Sequence, residues 1–438
     1  MRRAPRNLKI ACDHAGLTHF GGIYFFHEFL RVLQFRDFLS RHLVYPRRNH
    51  RYSLSQAVVA VVYPILLGLD RLETASFLRS NGTFQYLTGL PSFPDPQTLR
   101  RFLRHAPDHL REQLRRVNDR LLQKFILLPE NRSRLIFDLD STVVTVFGKQ
   151  DGAQVGYNPR YHGKRSYHPL LCLEANSHFL WDAELRPGNT GTFEGSCALL
   201  ETAFARLPGA IREIRFRADA GFGYEAVLKT VETGGAEYAV VVRMNPGLKR
   251  LLPGLTYQPT SARWECAEGE FRAQGWSRTR RIVVVRRLIE EHDPQPTLFA
   301  MGRYIYRAWA TNLDLTPPGV WHFYDGRAAV ELRVHELREA FALRKIPTAS
   351  FQANALHLEL IRLAYNLVTA FQRNCLPASL QNCTLQQLRL KLFLLPGELT
   401  RPQNRPTLRL KDSPLVQRLA QETLTRIAKL RPLGKRHS

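Results

Sequence analysis

The spacing of apolar positions changes character along the chain. Up to about residue 130 they recur at helical intervals, as in 53–67 and in the basic stretch TLRRFLRHAPDHLREQLRRVNDR, where Thr98 is placed to cap a helix starting at Leu99. From Arg134 the period shortens to that of strands. LIFDLDSTVVTVF is followed by LLCLEA and HFLWDAEL, which read as a hairpin turning at Asn176 and Ser177, and then by IREIRFRADAGFG and AEYAVVVRM. Helices are expected near 194–206 and 224–233. Between Met244 and about Tyr306, ARWECAEGEFRAQGW and RRIVVVRRLI alternate again, and 354–373 reads as a strongly apolar helix that should pack on the sheet.

Two positions break the first strand pattern. Asp138 and Asp140 fall on one face of an otherwise apolar strand, where isolated carboxylates are costly unless paired, hydrogen-bonded or bound to metal. The stretch therefore reads as a strand carrying a metal ligand, with either aspartate open as that ligand. Asp219 follows a second strand-like segment and precedes Gly221 and Gly223, which allow a tight turn. Further on, Tyr324, Arg327, Glu331 and Arg338 fall within about 60° of arc at helical spacing, so one helix face offers a carboxylate flanked by guanidinium groups. Leu332, Leu337, Phe341 and Leu343 lie broadly opposite, as a core-facing stripe.

Charge narrows the partner. At 438 residues the chain is long enough for two or three domains, and its formal charge of +25 calls for a polyanion. No long apolar run and no signal-peptide core are present, so a membrane partner is not expected and a cytosolic location is. Residues 1–130 carry 20 basic against 10 acidic side chains, with helix-turn-helix-like packing expected to present Arg100, Arg101 and Arg104 to DNA phosphates or bases. Trp264 and Trp276, the latter flanked by basic residues, are candidates for stacking on an unpaired base. The segment from Gln372 holds 13 basic and 3 acidic residues and ends in a tail expected to be disordered. Six scattered cysteines form no C-x2-C pair, which argues against a zinc finger.

Asp140 followed by Ser-Thr, Asp219 in D-x-G-F, and Tyr324-x2-Arg327-x3-Glu331-x6-Arg338 together resemble the DDE transposases of bacterial insertion sequences, whose last motif usually reads Y-x2-R-x3-E-x6-K. The text around them, including GYNPRYHGKRSYHPLLCLEANSHFL, LRPGNT and WATNL, looks most like the insertion-sequence family numbered thirteen-eighty. Arg338 departs from that pattern, keeping the charge but replacing a point cation with a planar fork.

The strand and helix order fits an α/β fold with a ribonuclease H-like catalytic core interrupted by a β-rich insertion, behind a helical N-terminal DNA-binding region. The expected divisions are a helical DNA-binding region at 1–130, the first part of the core at 131–244, the insertion at 245–306, the glutamate helix and packing helix at 307–373, and a basic C-terminal region at 374–438.

The resemblance implies a transposase that binds the element's terminal inverted repeats, cleaves the DNA ends and joins the freed 3′ hydroxyls to target DNA. It implies Asp140, Asp219 and Glu331 as catalytic ligands of two Mg²⁺ ions about 4 Å apart, with Mn²⁺ able to substitute. Tyr324, Arg327 and Arg338 would bind the strand beside the scissile phosphate. The partners implied are double-stranded DNA of the repeats and target, and a second copy of the chain as a homodimer in the DNA complex. The place of action is the bacterial cytosol, at the nucleoid. Two rival readings are a domesticated, catalytically inactive DNA-binding protein and a ribonuclease H-like nuclease without strand transfer.

Overall fold

The computed structural model describes residues 10–46, 51–126, 133–261, 263–289 and 300–434; the last four residues of the tail expected to be disordered lie outside them. The chain forms two compact units, residues 1–102 with 370–438, and residues 103–369.

The second unit is built on a ten-stranded sheet. Its central strand, β1 (Arg134–Ser141), has Leu135, Phe137 and Leu139 buried at period two. Next come β2 (Leu170–Glu174), β3 (Leu180–Glu184), β4 (Glu213–Ala218) and β5 (Glu237–Val241). β2 pairs antiparallel with β1 and with β3, while β1, β4 and β5 run parallel, giving the order 3-2-1-4-5 expected of a ribonuclease H-like core. The β2–β3 hairpin turns with His178 at φ 64°.

Beyond β5 the sheet continues. β6 (Glu265–Phe271), β7 (Arg280–Leu288) and β8 (Tyr304–Thr311) lie antiparallel in the order β6-β7-β8-β5. The alternating segments between Met244 and Tyr306 therefore widen the core sheet itself.

The longer helices beside these strands are α1 (Asp108–Phe125), α2 (Ser196–Ala205), α3 (Glu225–Thr233), α4 (Pro317–Asp325), α5 (Ala328–Glu339) and α6 (Phe351–Cys375), whose last residues belong to the first unit. Phe137 of β1 packs against Trp181 of β3 and Phe204 of α2, with ring centroids 5.3 and 5.9 Å away. α6 seals the edge strand β3. Asn366 accepts from the N–H of Leu180 at 2.9 Å and donates to its carbonyl at 3.0 Å, so a side chain completes the ladder where no further strand follows.

The expectation that α6 is strongly apolar misses its buried polar row. Arg362, fully buried, donates to Glu359 at 3.0 Å and lies 3.6 Å from Asp182, which also accepts from Arg115 at 2.9 Å and from Arg206. Each charge in this cluster faces an opposite one, which is the condition under which buried ions are tolerated.

In the first unit, Leu54–Leu67 is a helix buried almost all round and capped by Ser53 in a capping box with Gln56. Its last carbonyls are met by Arg389, whose guanidinium donates to Ile65 and Leu66 at 2.7 Å each. Phe26, Phe29, Phe371 and Phe393 pack together beside it. The strand Leu17–Thr18 pairs with Gly397–Thr400, which pairs with Thr407–Leu410, so the two ends of the chain share a small sheet.

The helix expected to start at Leu99 starts earlier, as Pro96–Arg104. Proline suits a first helical position, and Asp95, not Thr98, is the cap, its Oδ1 accepting from the N–H of Gln97 at 2.8 Å. Arg101 and Arg104 are exposed on this helix, whereas Arg100 is paired with Glu73. Among the described residues no helix is long and apolar enough to cross a membrane.

The buried cluster around Asp182 gives a first test. Arg362→Met removes the cation and leaves Asp182 and Glu359 short of a partner, and is expected to cost about 3–5 kcal/mol in chemical denaturation. A loss below about 1 kcal/mol would show that Arg115 and Arg206 suffice to neutralise them.

Candidate active site

Parallel pairing sets the site. β1 and β4 run in register, Leu139 opposite Ala218, so the next position on each strand is an aspartate: Asp140 at the end of β1 and Asp219 just beyond β4. In α/β sheets the carboxyl ends of parallel strands are where functional groups collect. Asp219 leaves its strand into a tight turn, its Oδ1 accepting from the N–H of Gly221 at 2.8 Å. A Cβ at Gly221 would come within 2.7 Å of the Thr192 methyl and 2.9 Å of that same Oδ1, so the turn needs glycine to leave the Asp219 carboxylate in place.

The preceding pair on the same two strands is occupied differently. Asp138 is fully buried and receives a two-pronged contact from Arg217, Nε and Nη2 each donating at 2.7 Å. Arg217 donates its Nη1 to the carbonyl of Phe323 on α4, also at 2.7 Å. Asp138 is thus spent on an internal pair that docks a helix on the sheet. Asp140 keeps a carboxylate oxygen free of such a fork.

The face expected to be one helix is two. α4 ends at Asp325, and α5 begins after Arg327, with the N–H of Arg327 bonded to the carbonyl of Tyr324 at 2.8 Å in a tightened turn. Gly326 sits at the junction because any side chain there would meet the Arg217 guanidinium, 2.5 Å from a built Cβ. Of the expected core stripe, Leu337, Phe341 and Leu343 are buried but Leu332 is 71% exposed: the buried row of α5 is Val330, Val334 and Leu337, and Leu332 lies about 140° around the helix from Leu337.

Arg327 is buried and points back at β1, its Nη2 donating to the carbonyl of Leu139 at 3.2 Å and lying 3.6 Å from Asp140. Glu331 stands exposed in the first turn of α5, where the helix dipole favours a carboxylate. Tyr324 lies over Trp309 of β8 with centroids 5.3 Å apart, and burial holds its hydroxyl proton up to about 12, so it is a neutral donor at working pH. Arg338 is half-buried, and its Nε makes no hydrogen bond. Trp276, expected as a surface stacking platform, is instead buried, donating to the carbonyl of Gly223 at 3.0 Å with Arg280 over its ring. Trp264 is half-buried against Trp321, centroids 5.1 Å apart.

Electrostatics tie these groups together. Burial raises the Asp140 carboxyl to about 6, Arg327 opposes the shift, and the charges of Asp219 and Glu331 reinforce it. Asp140 therefore feels both other carboxylates as well as the buried guanidinium. As they stand, no three His, Cys, Asp or Glu side chains among the described residues converge closely enough to hold a metal ion. The donor set still fits one in kind, because hard carboxylate oxygens are what Mg²⁺ or Mn²⁺ binds and the mutual repulsion at Asp140 is what a divalent cation relieves.

One neighbour carried no sequence signal. His168, buried before β2, faces the carbonyl of Thr190 through Nδ1 and the hydroxyl of Ser141 through Nε2, each at 3.0 Å. Burial lowers its proton affinity, so the neutral ring donates to Thr190 and accepts from Ser141, fixing the residue after Asp140. Nothing but its distance in space from Asp140 marks it, and spacing along the chain does not show that.

The family model for the transposase DDE domain, group 1, matches residues 3–432. The chain belongs to this family. It is a DNA transposase of the metal-dependent DDE kind. No curated protein matches its sequence. Among solved structures it is similar to a piggyBac transposase synaptic complex with hairpin DNA, at 11% identity and a TM-score of 0.43, covering 85% of this chain and 79% of that one. It is also similar to the Drosophila P element transposase strand transfer complex, at 12% identity and a TM-score of 0.23 over 47% of this chain and 42% of that one. For the Mos1 strand transfer complex the identity is 13% and the TM-score 0.17, over 44% and 59% of the two chains. Membership rests on the family match alone.

The raised Asp140 carboxyl makes the transposase less stable as pH rises, because ionising it inside the fold costs more than in the unfolded chain. The penalty is absent below about 4, grows as pH climbs to about 6 and is constant above. Asp140→Asn escapes it, so in the absence of divalent metal the variant should be more stable than the parent above pH 6, by up to about 3 kcal/mol. The gap should close towards pH 4. Melting curves across this range check it, and a gap independent of pH would mean that Asp140 is not the titrating group.

Proposed function

We propose that the transposase cleaves the ends of its element and joins the freed 3′ hydroxyls to target DNA with Asp140, Asp219 and Glu331 as the metal-holding carboxylates. The supporting observation is the placement of Asp140 and Asp219 side by side at the ends of two parallel strands, with the charge of Glu331 felt at Asp140. Two Mg²⁺ ions, or Mn²⁺ in their place, would activate the attacking oxygen and stabilise the leaving one. The fork with Arg217 argues against this role for Asp138. Arg327 neutralises Asp140 and holds α5 against the end of β1, and Tyr324 offers its hydroxyl proton to the DNA strand. Arg338, with a free Nε, takes a phosphate beside the scissile bond.

The element family is the one numbered thirteen-eighty, on the motifs quoted above. The exposed Arg101 and Arg104 belong to a surface that reads the terminal inverted repeats, with Arg100 released from Glu73 to join them. A homodimer would hold both ends, in the bacterial cytosol.

Replacing Asp140, Asp219 or Glu331 by Ala should abolish metal-dependent cleavage and joining of terminal-repeat DNA while leaving its binding nearly intact. Asp138→Ala should instead unfold the protein by about 3–5 kcal/mol, since it strands Arg217. If the Asp138 variant folds normally and is dead while the Asp140 variant still cleaves, the assignment of the first ligand is wrong.

Arg338 supplies a sharper test. A phosphate that needs only a positive charge tolerates Arg338→Lys, and single-turnover cleavage should stay within about threefold of the parent while Arg338→Ala falls by about tenfold or more. A Lys variant as slow as the Ala variant would replace the point-charge reading with a planar, two-pronged contact.

A further inference from the structure

Directly after Asp140 the chain leaves the core sheet for a small three-stranded extension, Val144–Thr145, Gln154–Val155 and Arg165–Tyr167, before returning as β2. Its outer surface is aromatic and basic. Phe147 is 78% and Tyr157 75% exposed, and Tyr161 meets Phe147 edge-on at 5.9 Å. Around these rings stand the exposed cations Lys149, Arg160, Lys164 and Arg165, with Arg160 lying over Tyr161 at 5.5 Å; the one acidic residue of 142–167 is Asp151.

The inner side of the same extension is firmly anchored. Tyr167 packs on Phe351 and receives a hydrogen bond from Asn354, Asn158 donates to Thr145 at 3.0 Å, and a Cβ at Gly152 would strike the Phe351 ring at 2.5 Å. An anchored base with bare aromatic faces is a platform, because a region that merely lacked packing would have no such foundation.

The platform reaches towards the catalytic helix. Burial lowers the proton affinity of Arg338, and the positive charges of Arg344, beyond the end of α5, and of Arg160, on the extension, lower it further against the opposing charge of Glu339. Glu339 is engaged by Arg344, and the Nε of Arg338 is left without a partner. Such a cluster is short of negative charge and long on donors, as a phosphate backbone requires.

Resting on the reading of Asp140 as a catalytic ligand, we propose that the extension 142–167 grips unpaired nucleotides of the DNA strand being cut, with Phe147 and Tyr157 stacking on extruded bases and Lys149, Arg160 and Lys164 holding their phosphates. Duplex DNA is matched by cations alone and keeps its base faces covered. Exposed rings set among cations match a strand whose bases are free to stack. The role sought in Trp276 thus falls to residues on the opposite flank of the sheet, beside the first aspartate.

The test uses the full chain without divalent metal, a blunt DNA duplex, and the same duplex with a short single-stranded overhang carrying 2-aminopurine. The parent should bind the overhang about tenfold more tightly than the blunt end and quench the 2-aminopurine emission. Phe147→Ala with Tyr157→Ala should erase both the preference and the quenching while blunt-duplex affinity stays within about twofold. Phe147→Trp should restore the preference in the Tyr157→Ala background. Lys149→Gln with Lys164→Gln should weaken both probes together.

A parent without overhang preference, or a double-alanine variant that keeps it, overturns the proposal. So does a double-alanine variant whose mass by light scattering shows a lost dimer, since the rings would then cover a second copy of the chain. Asp140→Ala separates the two levels: it should lose cleavage and keep the overhang preference. Cleavage that survives in Asp140→Ala refutes the site while the overhang result stands on its own.

Discussion

Arg217 holds together the parts on which the site depends. It stands on β4, clamps Asp138 of β1 with two hydrogen bonds of 2.7 Å and binds the carbonyl of Phe323 on α4 with its remaining nitrogen. Two parallel strands and the helix leading to Glu331 are thereby fixed by one side chain. The contact also explains why β1 can carry a carboxylate in its buried middle: a planar fork matches both oxygens and offsets part of the cost of burial, which still pushes the Asp138 carboxyl above its ordinary value. With Asp138 held in this fork, the next aspartate along the same strand is left without one.

Asp140 is left in a costly position by design of the same geometry. Its neighbours in register and across the helix are acidic, and one guanidinium at 3.6 Å is the main compensation. Arg327 therefore acts as an internal counter-ion, holding the carboxylate in place without filling its coordination. Asp182 shows the compensated case: burial pushes its carboxyl up, but Arg362, Arg206 and Arg115 together bring it below its ordinary value. Asp140 keeps a carboxyl raised to about 6 beside the Arg327 guanidinium, and such imbalances collect at functional sites.

Much of this was readable in the chain. The strands themselves followed from the switch in apolar period at Arg134, and their succession with the helices matched the order seen in the sheet. Type and spacing picked out Asp140, Asp219, Tyr324, Arg327 and Glu331, of which the fold brings Asp140, Asp219 and Arg327 to one end of β1 and β4. What spacing could not decide was which of Asp138 and Asp140 was already paired, because the partner sits 79 positions away on a parallel strand. The break at Gly326 was equally hidden, since its reason is the Arg217 side chain and not a local helix signal. Leu332 and Trp276 were misplaced for different reasons: the inward face of α5 is the narrow row Val330, Val334 and Leu337, which leaves Leu332 outside it, and a tryptophan flanked by arginines looks exposed until Arg280 is seen lying over it. His168 and the aromatic platform of 142–167 become visible only when residues distant in sequence are set side by side.

The added strands β6 to β8 bear on where the glutamate helix lies. Cys266, Val283, Val285 and Trp309, from these three strands, form one core with Ala239 of β5 and Val320 of α4, and Trp264, Trp321 and Tyr324 pack against it. Arg281 of β7 reinforces the seat by donating to the carbonyls of Leu313 and Leu315 at 2.8 Å each, pinning the link between β8 and α4. A helix resting only on a five-stranded core would have the edge of β5 beneath it; widening the sheet places a broad apolar floor there instead. Trp309 then sets the height of Tyr324, Arg217 sets the turn at Gly326, and the first turn of α5 is carried to the end of β1. The β-rich stretch thus acts as a support: it seats α4, and through the turn at Gly326 it sets where Glu331 lies.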